Sequence, residues 1–180
     1  PNGSLGQGNG TSQAFLREAQ LRTMLSVENT GMAVTLDIGS TITNHPPEKL
    51  LIGKRLAYWA LAKNYGFNGL PYSGPVYESM EVKNNKVYVN FKFAKNGVTS
   101  YGKPLSGFEI AGEDKIFYSA DASIDPHWSA GWENRSVLIL SNKNVPNPLY
   151  IRYGWKNYIE GALYNVEGLP ASSFRSYDFE

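Results

Sequence analysis

The sequence predicts an α/β portion followed by an antiparallel β portion. Two stretches with apolar residues at helical spacing flank one short apolar run within residues 1–70. From residue 76 onward a period of two takes over, and no helix signal of comparable strength follows Gly66. The division predicted is therefore residues 1–70 and residues 71–180.

The opening PNGSLGQGNG is rich in glycine and asparagine and reads as a loop. Thr11 or Ser12 can cap a helix, and Ala14, Phe15, Ala19, Leu21, Met24 and Leu25 place that helix over residues 12–26. Asn29-Thr30-Gly31 breaks it. The run of residues 32–36, MAVTL, ends at Asp37 and has the pattern of a strand covered on both faces in a parallel sheet. After a loop, Pro46-Pro47-Glu48 starts a second helix, because proline is tolerated in the first turn. Leu50, Leu51, Leu56, Trp59, Ala60 and Ala62 give it an apolar side, and Gly66 stops it. One strand and two helices cannot cover both faces and both edges of a parallel sheet. Because the chain also opens on Pro1, the missing neighbours are expected from residues before it or from another polypeptide.

Tyr72-Ser73-Gly74-Pro75 is a turn, and strands follow. Val87, Val89, Phe91 and Phe93 alternate with polar residues, and Asn84-Asn85 before them makes a tight hairpin turn with a strand over residues 76–83. Further strands are expected at residues 108–110, 115–122, 137–140 and 149–153, together an antiparallel, sandwich-like unit.

Composition narrows the chemistry. The 180 residues are 42% hydrophobic and 13% aromatic, as in a packed globular protein, and the net charge of +1 offers no electrostatic case for a nucleic-acid or membrane-surface partner. Absence of cysteine excludes disulfides, thiolate metal sites and a cysteine nucleophile. Two distant histidines and no calcium-loop pattern give no reason to expect a metal, and no cofactor is expected. No apolar run reaches the roughly 20 residues of a membrane span.

Asp37 and His45 form the leading pair of candidate catalytic residues. Asp37 lies at the C-terminal end of the expected strand, where open α/β sheets place ligands, and His45 follows in the loop before a helix. A carboxylate that fixes one imidazole nitrogen leaves the other free to take a proton from a hydroxyl, as in two-thirds of a hydrolase triad. The spacing equally suits a histidine in a turn and an aspartate capping a strand end. A nucleophile is missing: no Gly-x-Ser-x-Gly elbow occurs, GQGNGTS at residues 6–12 has no strand before it, and nothing presents Ser40 as activated. A second cluster, DPHWSAGW, sets His127 beside Trp128 and Trp132, an arrangement suited to stacking on a sugar or to packing in a core.

The segments LREAQ at 16–20, GMAVTLDIG at 31–39, NHPPEKLLIGKRLAYWALAKNYG at 44–66 and YSGPVYESM at 72–80 resemble the C-terminal part of bacterial sialate O-acetylesterases, which are SGNH-type hydrolases. GFEIAGEDKIFYSADASI, VPNPLYIRYGW and ALYNVEGLPASSFR are similar to the closing segments of that family, in the same order. The resemblance implies the C-terminal portion of an SGNH-type α/β hydrolase domain followed by an antiparallel β-sandwich-like domain. It implies a serine esterase acting on O-acetylated sugars, with His45 as general base, Asp37 matching an acidic residue, and the serine in a polypeptide segment N-terminal to this chain. Alone, the chain is then expected to be nearly inactive. Thr43 stands two residues before His45, where the family often has aspartate, so the acidic member is open between Asp37 and a backbone carbonyl. Acetylated xylan or xyloglucan is the alternative substrate, and a carbohydrate-binding module the alternative class. A sugar substrate of this kind places the protein in the periplasm or outside the cell.

Overall fold

A computed structural model of the chain describes residues 10–41, 43, 45–125 and 137–179. Two helices, α1 (Ser12–Ser26) and α2 (Lys49–Lys63), precede ten strands. The strands are β1 (Val76–Lys83), β2 (Lys86–Lys92), β3 (Val98–Thr99), β4 (Phe108–Ala111), β5 (Tyr118–Ser119), β6 (Asp121–Ile124), β7 (Leu138–Ser141), β8 (Tyr150–Tyr153), β9 (Tyr164–Asn165) and β10 (Phe174–Arg175). They form four-stranded sheets in the orders β1-β2-β7-β6 and β10-β8-β4-β5, with β3-β9 as a small ribbon. Every described pairing is antiparallel.

The alternation in β2 has the effect expected of it. Val87, Val89 and Phe91 are buried while their neighbours are not, and Val87 and Val89 pair with the buried Leu140 and Leu138 of β7. On the other sheet Phe108 and Ile110 pair with Tyr153 and Ile151. Side chains of both sheets join one hydrophobic cluster, and Phe91 meets Phe174 edge-on at 5.7 Å between ring centroids. Burial of such large side chains stabilises the fold by about 1.5–3 kcal/mol each. The hairpin β1–β2 turns on Asn84 and Asn85, both at positive φ (49° and 64°), which asparagine tolerates better than most residues.

Three expectations need correction. Residues 32–36 join no ladder among the described residues. Side chains of α2 serve their carbonyls instead: Trp59 Nε1 donates to Met32 O (3.0 Å) and Arg55 Nη1 to Val34 O (2.7 Å). Leu36 O accepts from the Gly161 N–H (3.1 Å), and Leu36 itself is part of the hydrophobic cluster. Leu36 alone of the run is buried, residues 32–35 being half-buried, and a helix and a loop cover them here without a parallel neighbour.

The single strand expected over residues 115–122 is divided. β5 pairs with β4 in one sheet and β6 with β7 in the other, so the chain changes sheets at Ala120, whose N–H donates to Phe108 O (2.9 Å). The second helix also begins later than Pro46, at Lys49: Pro47 holds Pro46 out of the helical region, and Glu48, at φ −74° and ψ 51°, is the non-helical N-cap.

Helix α1 lies against the β portion. Arg17 donates to the carbonyls of Gly154 and Lys156 (2.7 Å each), to Asn157 O (3.4 Å) and to Ser173 Oγ (2.9 Å). Glu18 receives Arg175 in a two-pronged ion pair, both contacts 2.9 Å, with side chains 12% and 8% exposed. The turn into β1 is equally constrained, since a methyl on Gly74 would run into the carbonyl of Pro170.

Candidate functional site

At the start of the expected site, Asp37 meets α2 through Arg55 and the adjoining Leu36 meets Gly161. Asp37 is held by Arg55, Nη1 to Oδ1 at 2.8 Å and Nη2 to Oδ2 at 2.6 Å. Arg55 occupies the inner face of α2, four residues from both Leu51 and Trp59, and carries its charge into the protein because Asp37 waits there. Tyr164 lies close by, and its hydroxyl donates to Gly161 O (3.1 Å). Burial first, and then the negative charge of Asp37, push the Tyr164 pKa up.

His45 is exposed, and its backbone N–H donates to Thr43 Oγ1 (3.1 Å). This hydroxyl turn fixes the backbone at the histidine from the position at which the sequence departs from its resembled family. Among the described residues no side chain hydrogen-bonds the imidazole, and both Asp37 oxygens point to Arg55. The structure thus places Asp37 as the anchor at the base of the loop and His45 as a solvent-facing imidazole near its end.

A cavity of about 690 Å³ opens between the end of α1 and α2, with Leu56, Trp59, Tyr72 and Phe93 among its walls; His45 is not one of them. Leu50, Leu56, Tyr65 and Phe67, on and just after α2, are 70%, 51%, 73% and 57% exposed, so much of the apolar side read from the sequence faces outward. His127, Trp128 and Trp132 lie outside the described residues. Among the described residues no group of three histidine, cysteine, aspartate or glutamate side chains gathers to hold a metal, and no helix is long and apolar enough to cross a membrane.

Sequence reading passed over Arg55, although an arginine in register with Leu51 and Trp59 on an apolar helix face signals a buried acidic partner. It also passed over an aromatic and cationic pocket beside α1, whose residues are scattered from Thr11 to Phe179.

No protein-family model matches the sequence, and no curated protein matches it. Among solved structures, one superposes with a TM-score of 0.82 at 34% identity over 96% of this chain. It is a carbohydrate acetylesterase from Xanthomonas citri. The match covers 38% of that enzyme, so the chain spans less than two-fifths of its length. An antiparallel β portion with two helices, as found here, is thus a fold present within a carbohydrate acetylesterase.

Proposed function

We propose that the chain is the histidine-bearing part of a serine esterase that removes O-acetyl groups from sugars. The observation that carries this reading is the 34% identity, over 96% of the chain, to a carbohydrate acetylesterase, together with a solvent-facing His45 in the loop that resembles the esterase histidine block. The nucleophile is a serine outside residues 1–180. The exposed apolar side chains of α2 and the 38% coverage of the larger enzyme favour a further polypeptide segment beside that helix.

In this mechanism the serine oxygen attacks the acetyl carbonyl while His45 takes the serine proton. Backbone amides of the segment outside this chain hold the oxyanion. The C–O bond to the sugar breaks, and His45 returns the proton to the departing alcohol. Water, deprotonated by the same imidazole, then releases acetate and restores the serine. Asp37 acts indirectly, through Arg55, by holding the base of the loop.

The finer substrate, an O-acetylated sialic acid, rests on the sequence segments that resemble sialate O-acetylesterases. Such a substrate implies a periplasmic or extracellular setting. Labelling the protein, as its host produces it, with a serine-directed fluorophosphonate tests the whole reading. The label is expected on a serine outside residues 1–180 and is lost in His45→Ala. A label on a serine within residues 1–180, or labelling indifferent to His45, overturns it.

A further inference from the structure

Beside α1, on the β portion, lies a pocket of about 460 Å³, within the size range of small-molecule sites. It shares no wall with the His45 loop. One wall is a column of rings: Phe117 and Tyr177 with centroids 5.2 Å apart, then Tyr177 and Phe179 at 4.3 Å. A cation closes each end of the column. The Arg152 guanidinium carbon is 3.9 Å from the Phe117 centroid, and Lys115 Nζ is 4.3 Å from that of Phe179. Arg175 forms part of the same lining, which among the described residues contains no carboxylate.

The three cations are not equivalent. Arg175 is committed to Glu18 and to Phe179 O, and Arg152 gives Nε to Glu109 (2.8 Å). Lys115 has no ion-pair partner among the described residues. Its backbone sits at φ 58°, a left-handed conformation unfavourable for lysine, in a turn closed by its N–H to Gly112 O (3.1 Å). That turn delivers the ammonium to the mouth of the pocket.

We infer that this pocket binds a carboxylate-bearing sugar residue, separately from the ester-hydrolysing site. The carboxylate is met by Lys115, at its end of the ring column, through a charge-assisted hydrogen bond. Ring edges carry partial positive charge and so tolerate an anion, while the C–H face of a pyranose packs on the aromatic wall. The anion follows from the pocket alone. The sugar rests on the carbohydrate reading above.

Titration calorimetry of the purified protein with trigalacturonate, neutral galactotriose and benzoate separates the parts. Saturable binding of trigalacturonate is expected, about tenfold weaker or worse for galactotriose, and weakened about tenfold by Lys115→Gln, which removes one charge-assisted contact. Phe179→Ala weakens it as well, whereas His45→Ala leaves it unchanged. Equal affinity for the neutral trisaccharide, no effect of Lys115→Gln, or no binding of trigalacturonate overturns the inference. Preference for benzoate overturns the sugar. These are binding measurements, so failure of the esterase reading appears elsewhere, as a lack of serine labelling.

Discussion

Arg55 grips Asp37 with two nitrogens on two oxygens, at 2.8 and 2.6 Å, and the two side chains are only 8% and 10% exposed. The pair ties α2 to residues 34–37, since the same guanidinium also donates to Val34 O. Breaking a buried pair by removing one partner costs about 3–5 kcal/mol, because the other charge is left uncompensated. Asp37→Ala should therefore lower the midpoint of thermal unfolding by about 10 °C. Asp37→Asn keeps the shape but only one of the two acceptors, sets an amide N–H against an Arg55 N–H and leaves the guanidinium charge uncompensated, so it should also be clearly destabilising. A thermal shift of Asp37→Ala within a degree of the parent would show that the pair does not hold the loop.

His45 should behave in the opposite way. Its side chain is exposed and makes no described hydrogen bond, so His45→Ala is expected to change stability by no more than about 0.5 kcal/mol. On the proposed esterase reading, hydrolysis of acetylated sugar by the protein as its host produces it should fall by about 10²-fold or more, as removal of a general base does. Thermal unfolding and acetate release, measured on the same two variants, give a crossed pattern: one unstable, one stable but inactive. If His45→Ala retained turnover, the imidazole would be a turn residue only.

Much of the β portion could be read from the sequence, and the reason is local. Val87, Val89 and Phe91 announce one buried face by their period, and Asn84-Asn85 announces the hairpin. Strands β3, β9 and β10 span two residues each, too short for any period to show, and exist because distant segments meet. The run at 32–36 looked like a strand because an apolar pattern does not tell whether a sheet or a helix provides the cover, and here side chains of α2 serve its carbonyls. At the candidate site, the position of His45 in a loop before α2 was legible. The pairing of Asp37 with Arg55 was not, since the two are 18 residues apart and their meeting depends on how α2 lies.

Arg17 provides a test of how α1 is held. Burial lowers its pKa to about 10, and among the described residues no carboxylate bonds it; its partners there are the carbonyls of Gly154, Lys156 and Asn157 and the hydroxyl of Ser173. A cation that satisfies several buried acceptors cannot be replaced by an apolar chain without leaving them unmet, at about 1–3 kcal/mol for each buried group. Arg17→Met should therefore loosen α1 before the sheets. Amide hydrogen exchange should accelerate across residues 12–26 and stay slow in β2, β7 and β8. Uniform acceleration would show instead that helix and sheets unfold as one unit.

Tyr153 predicts a loss of stability in alkali. Its ring stacks on Phe108 with centroids 4.4 Å apart, and its hydroxyl accepts from the Ala162 N–H (3.1 Å). Burial, aided by the charge of Asp37, pushes its pKa up to about 12 from an ordinary value of 10.0. Between those two values the unfolded chain gives up the phenolic proton and the folded protein keeps it. The folded state then binds more protons, so unfolding free energy falls as pH rises. The stability is fully present below pH 10 and declines toward pH 12, by about 2–3 kcal/mol in total for a shift of this size. Tyr77 and Tyr164, whose pKa values burial also raises, add to the same slope. Urea unfolding at pH 9, 10, 11 and 12 should show the decline, and Tyr153→Phe should flatten it, because phenylalanine has no proton to lose. The same variant should be less stable at neutral pH, since the Ala162 N–H loses its acceptor. An alkaline slope identical in both proteins would place the late-titrating phenol elsewhere.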